Sequence, residues 1–432
     1  MKRIFQTSVM LLWWAGGGVS AWAIPLDPLV SMENVWSLKA DDFMTLGSGL
    51  GYRWTSGSRD SARVALSDRE IFGRPVVESV VRFDGNTVKQ ISLILYARGD
   101  SGELTEEKFD ALVRESVAAI SKASGVSFLN RGKDPTNLVR AERLIWVNSQ
   151  SQYVLEFSKT KADKARGMAF RAEFIRLTVT APAEKLGLLE GASRPQPKKF
   201  FGQSHLKKNG DSGDVWIADI PMVDQGAKGY CVVAAAERVM RYYGKSVDAN
   251  ELAQLANSSA SGGTNPVALY GALKNLVSRL RLRLRDTQAE ETPAEALKLI
   301  AEYNRIAKKN KVREISNLGP VIDIAGIYGS MDVSILKEVR SKNRSDYERF
   351  RRRIEAEINQ GVPLLWTVML GLIPEPNIPQ NAGGHMRLII GYNASSEEVL
   401  FSDSWGAGHE LKRMSMADAW VMTMGTKCIE PI

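Results

Sequence analysis

The chain reads as an α+β protein in two parts, a small α+β domain followed by a second domain that joins a helical half to antiparallel strands. Three observations predict this. β-rich runs bounded by turn residues cluster before residue 182 around one strong helical repeat. A stretch with prolines, glycines and lysines but no periodicity, residues 183–213, then reads as a linker. Beyond it, capped helices precede three short apolar strand runs. The 432 residues exceed one ordinary core, and about 150 residues per domain suggests two.

The N-terminus belongs to neither part. Met1-Lys2-Arg3, the apolar Val9–Trp14 stretch and Ala21-Trp22-Ala23 have the layout of a secretory signal cleaved after Ala23. A membrane anchor is the competing reading, but the apolar core is short and broken by glycines, and no later segment supplies the ~18 unbroken apolar residues of a spanning helix. The domain expectation is therefore 1–23 signal, 24–182 accessory domain, 183–213 linker and 214–432 second domain. The expected location is secreted or periplasmic, with no stable membrane association after cleavage. The net charge of +8 loses two when Lys2 and Arg3 leave, and Lys and Arg alternate with Asp and Glu throughout, which argues against a nucleic-acid partner.

In the first domain, Val76–Phe83 and Thr87–Tyr96 flank Asp84-Gly85-Asn86, strong hairpin chemistry. Thr105 is an N-cap, Glu106 and Glu107 suit a first turn, and Phe109, Leu112, Val113, Val117 and Ile120 recur at helical spacing before Gly125. Leu144–Val147, Tyr153–Phe157 and Phe170–Thr180 complete a small sheet with one helix on it. Three readings of this region stay open, an inhibitory prosegment, a substrate- or wall-binding module, or a stable structural partner; the last is the expectation.

In the second domain, a helix opening at Cys231 should end at Gly244. Asp248 with Glu251 and Ser345 with Glu348 suggest capping boxes, and Asn265-Pro266 and Thr292-Pro293 suggest caps followed by first-turn prolines. Tyr347, Phe350, Ile354 and Ile358 form a stripe flanked by a solvated Arg351-Arg352-Arg353 face, and Gly361 ends that helix. Pro363–Met369, His385–Tyr392 and Val399–Asp403 are strands, the last two joined across Asn393–Glu397.

The chemistry starts at Gln225-Gly226-Ala227-Lys228-Gly229-Tyr230-Cys231. A helix start directs unpaired backbone N–H groups at the sulfur and favours the thiolate, the nucleophilic form. A thiolate attacking a carbonyl creates an oxyanion, which Gln225 and the Cys231 amide could hold. Positive φ at Gly226 and Gly229 would let the loop fold Gln225 back toward the sulfur. Only Cys231 and Cys428 are present, so a single disulfide between them is the structural alternative.

His385 heads one strand and Asp403 ends the next, eighteen residues on, so a hairpin can set the carboxylate against one imidazole nitrogen while the other faces Cys231. His385 would accept the thiol proton and later protonate the leaving amine; Asp403 would fix the tautomer. His205 and His409 lack ligand-like spacing and read as exposed polar residues, so no metal and no other cofactor is expected.

Gln225-Gly226-x-x-Gly229-x-Cys231, the later His385 and Asp403-Ser404-Trp405-Gly406 together resemble the papain-like cysteine peptidases, in particular the bacteriocin leader-processing (double-glycine peptidase-like) branch, over roughly residues 214–425. The resemblance implies a helical subdomain packed on an antiparallel sheet, catalysis by Cys231, His385 and Asp403 with Gln225 as oxyanion donor, and Trp405 shielding the His–Asp contact. It also places Gly262 and Gly263 in a loop that pairs with substrate backbone, with Gly384 and Trp405 beside the substrate. A peptide or protein substrate is implied, cleaved at peptide or isopeptide bonds. The departures are a long Leu282–Ser345 stretch and the lack of a transporter segment, so glycine-leader specificity does not carry over. The same triad could transfer the acyl group to an amine instead, or the fold could serve as a catalytically silent binding protein.

Overall fold

Two antiparallel sheets with opposite styles of connection organise the chain. The computed structural model describes residues 23–432 apart from 66–67, 134–137, 163–164, 166, 183–201, 227–228, 246, 260–262, 275–279, 290–291, 317–323, 343, 377 and 379–382. The expected signal segment, most of the expected linker and Gly262 lie outside the described residues.

The N-terminal sheet contains β1 (Arg53–Trp54), β2 (Ser61–Val64), β3 (Glu78–Asp84), β4 (Thr87–Ala97), β5 (Leu129–Lys133), β6 (Glu142–Val147), β7 (Gln152–Thr160) and β8 (Arg171–Thr180), in the order β1-β2-β3-β4-β8-β7-β6-β5. Most neighbours are also neighbours in sequence. The β3–β4 turn is a two-residue loop in which Gly85 and Asn86 both have positive φ and Asp84 pairs with Thr87, the mirror-image turn geometry that matches strand twist. Helix α1 (Glu106–Ser124) opens on the Thr105 side chain, which accepts from Lys108 N, and closes on left-handed Gly125. It buries Phe109, Val113 and Ile120. The sheet is larger than the small one expected, because β1, β2 and β5 are short and rich in Arg, Lys and Ser and carry little β signal.

The C-terminal sheet is assembled from distant segments. Its strands are β9 (Leu206–Lys208), β10 (Asp214–Ile217), β11 (Leu282–Gln288), β12 (Leu364–Leu370), β13 (Gly383–Asn393), β14 (Glu398–Ser402), β15 (Lys412–Ser415) and β16 (Thr423–Pro431). They run β9-β10-β13-β12-β16-β11, with β14 pairing both β13 and β15. β9 lies within the stretch expected as linker and pairs with β10. Helices α2 (Cys231–Tyr242), α3 (Ala249–Leu255), α4 (Pro266–Lys274), α5 (Pro293–Lys309) and α6 (Arg344–Asn359) cover this sheet and share one apolar core with it. Phe350, Ile354 and Ile358 of α6 are buried as the stripe predicts.

Two caps differ from expectation. Asp248 caps α3 through Asn250 N, but Glu251 does not close the box: its Oε2 accepts from Leu138 N at 2.8 Å and its other oxygen lies 3.6 Å from Arg176. Ser345 sits inside α6, which begins at Arg344, and Glu348 pairs with Arg351 instead. Thr292 and Glu295 do form a full box, with Pro293 in the first turn.

The two sheets meet at α2 and α3. Phe174, Leu138 and Val139 join the same core as Val232, Val233 and Ala236, while Arg176 pairs with Asp248 at 2.7 Å and Arg98 donates to Asn257 at 3.0 Å. No described helix is long and apolar enough to cross a membrane.

Candidate active site

Cys231 is the first residue of α2, preceded by Tyr230 in a non-helical conformation, so its sulfur lies at the end where backbone N–H groups lack intrahelical partners. It is partly exposed and carries a free thiol. Cys428, in the middle of β16, is fully buried and also free, so the Cys231–Cys428 disulfide alternative is not formed. Burial pushes the Cys428 thiol far above its ordinary range, and the Glu357 carboxylate adds to this.

The β13–β14 hairpin brings the other two groups together. His385 Nε2 stands 2.6 Å from Asp403 Oδ1, which also accepts from Ser404 N at 3.0 Å. The remaining ring nitrogen, Nδ1, is left for the hydrogen bond that His385 shares with Cys231. The Trp405 indole stacks on the imidazole at 4.4 Å with the planes 5° apart, covering one face. Burial works against a charged ring here, yet Asp403 and then Cys231 outweigh it and raise the His385 pKa to about 9. For Asp403 burial is likewise opposed and outweighed, by His385 and Arg387, and its carboxyl stays below the ordinary value.

The loop before Cys231 is held from several sides. Gln225 N donates to Ser404 O at 2.8 Å, tying it to the Asp403 turn, and the Gln225 Oε1 is buried without an acceptor role among the described residues. Gly226 has φ +65° as expected, but Gly229 is not in the positive region. Gly229 is required for another reason: a Cβ there would stand 2.6 Å from the Cα of Gly263. Gly263 has φ +61° and so packs beside the Cys231 loop, while Gly384 is exposed with open space about it.

The N-terminal sheet also reaches this loop. Arg63 on β2 pairs with Asp224 at 3.1 Å and with Glu78, and its guanidinium would lie 2.6 Å from a Cβ on Gly226. Gly99 lies under the Tyr230 ring so closely that any side chain there would overlap the phenol.

Three residues escaped sequence reasoning. Arg238, two turns after Cys231, donates to Asp403 O at 2.9 Å and to Pro221 O at 2.9 Å; burial lowers its pKa to about 10. Arg387 donates from Nε to Asp403 Oδ2 at 2.8 Å and is fully buried. Glu375 accepts from both Arg387 terminal nitrogens, at 3.0 and 3.1 Å. The available signal was a cation inside the apolar Val232–Met240 run and another inside the apolar strand of His385. His409 and His205, expected to be exposed, are half-buried, against Trp405 and Tyr242 respectively.

With this geometry in place, the comparison with protein families gives one match: the model described as Peptidase_C39 like family matches residues 217–428. This supports a C39, papain-like peptidase family for that half of the chain, with mixed helices and antiparallel sheet, and suggests a cysteine peptidase. No curated protein matches the chain.

Proposed function

We propose that the chain is an exported cysteine peptidase that cleaves peptide or isopeptide bonds through Cys231, His385 and Asp403, with Gln225 as oxyanion donor. The observation that carries the reading is the imidazole held between Asp403 and Cys231 under a parallel indole. His385 takes the thiol proton and keeps it as imidazolium beside the thiolate. The sulfur adds to the carbonyl carbon, the oxyanion is stabilised by Cys231 N–H and the Gln225 amide, and the tetrahedral species collapses as His385 protonates the leaving amine. Water, deprotonated by the same imidazole, then releases the acyl group.

Asp403 in place of an amide aligns the site with the leader-processing branch, and the Gly263 loop beside Cys231 supports a backbone-pairing path for an extended substrate. The test is turnover of labelled casein by the full chain and by Cys231→Ala. Turnover lost in Cys231→Ala with an unchanged melting temperature is expected; a fully active Cys231→Ala protein would end the reading.

A further inference from the structure

The buried charges behind Asp403 do more than fix its rotamer. Arg387 is fully buried, with the Phe401 ring 4.6 Å and the Trp366 ring 5.9 Å from its guanidinium carbon, so it cannot borrow solvation from water. A buried guanidinium on Asp403 Oδ2, with Arg238 on the Asp403 carbonyl, would by itself draw the carboxylate's charge away from His385. Glu375 supplies the balancing anion. Its carboxylate grips the outer edge of Arg387 with both oxygens, and its side chain is 7% exposed although Pro374 and Pro376 on either side are exposed. Proline after Glu375 and proline before it restrict the backbone to extended conformations, so the carboxylate is presented with little conformational freedom to lose.

We infer that Glu375 is a positioning residue for the nucleophile pair: through Arg387 it leaves the Asp403 carboxylate with a full charge to offer the His385 imidazolium. The inference rests on the peptidase reading above. The charged groups that face this chain are Cys231 and Arg238 from α2, Arg387 from β13, Asp403 at the end of β14, and Glu410 and Arg241, whose opposite charges both reach Arg238 and offset each other. Two guanidiniums and Asp403 alone would carry a net positive charge next to a ring that must itself become a cation. With Glu375 the four are balanced, and protonating His385 meets no surplus of positive charge.

The experiment is the pH–rate profile of iodoacetamide alkylation at Cys231 in the folded full chain, read by peptide mass spectrometry with Cys428 as the internal control, followed by the pH–kcat/KM profile for casein turnover. In the wild type Cys231 should label well below pH 8 while Cys428 stays unlabelled. In Glu375→Gln the basic limb of the pH–kcat/KM profile for casein turnover, which follows loss of the His385 proton, should move down by about one unit, about a tenfold loss on that limb, because the uncompensated Arg387 guanidinium opposes the imidazolium. Glu375→Asp, which keeps the charge, should recover most of it. Should Glu375→Gln fail to fold, Glu375→Ala, which leaves room for water against Arg387, carries the same expectation. A turnover profile that superimposes on the wild type, or a drop equal at every pH, overturns the inference and leaves the peptidase reading standing. A wild-type Cys231 without low-pH labelling removes that reading first, and this inference with it.

Discussion

The two sheets place their ionisable groups under different rules. In the N-terminal sheet neighbouring strands are mostly consecutive in sequence, and buried charges end in pairs: Arg176 with Glu156 and Asp248, Arg63 with Glu78 and Asp224. In the C-terminal sheet β13 lies between β10 and β12, and β16 lies between β12 and β11, so strand neighbours come from opposite ends of the region. There the chain brings positions 231, 385 and 403 to one point, with a free thiol beside an imidazole bonded to Asp403 and a buried Gln225 amide oxygen that has no partner among the described residues. Consecutive pairing builds the scaffold, whereas the site needs both the local β13–β14 hairpin, which joins His385 to Asp403, and the approach of the distant Cys231 at the start of α2. The contrast has a breach, since the N-terminal half touches the loop before Cys231 through Arg63 on β2 and Gly99 in the helical turn just after β4.

The sharpest way to break the comparison is to exchange the two thiols' fates. Cys428→Ala should retain turnover and lose about 1–2 kcal/mol of stability from the cavity in β16, measured by denaturant unfolding, whereas Cys231→Ala should do the reverse. Inactivity of a folded Cys428→Ala protein would mean that the site extends into the sheet. Next in size, Asp403→Asn should cost about a hundredfold or more in kcat, because the amide cannot balance the imidazolium and can leave the ring in the wrong tautomer. A variant within threefold of wild type would remove Asp403 from the mechanism.

Arg63→Ala tests the breach itself. It unties Asp224 beside the nucleophile loop, and about a tenfold fall in kcat is expected, with Arg63→Lys intermediate. Unchanged kinetics in a folded Arg63→Ala protein would make the N-terminal sheet separable from catalysis. The smallest effect is in pH. The His385 pKa is raised from 6.5 to about 9, so the charged ring favours the folded state fully below about pH 6.5, and this contribution is lost as pH rises through about 9. Thermal unfolding of the wild type between pH 6 and 10 should therefore fall more steeply than that of Asp403→Asn, by an amount on the order of 1–3 kcal/mol. Parallel curves would show that His385 does not carry this charge.

Local signals were legible where the cause of the structure is local. The Asp84–Thr87 hairpin, the Thr105 and Thr292 caps, the Gly125 stop and the start of α2 at Cys231 all follow from residues within one turn of one another. The Glu251 capping box failed for a tertiary reason: Leu138 N and Arg176, more than seventy positions away, hold its carboxylate. Gly229 was misread in the same way, since its need is the approach of Gly263 and not its own φ.

By itself the sequence singled out Cys231, His385 and Asp403 as the candidate site, in that order, because each stands at an element end marked by glycine or a polar turn residue. Only the tertiary structure decided that Arg238, Arg387 and Glu375 stand behind Asp403, and that the N-terminal sheet presses on the loop before Cys231. Element ends are written in short-range backbone chemistry. Buried charge balance depends on which distant side chains the folded chain brings within a few ångströms, and no local pattern encodes that.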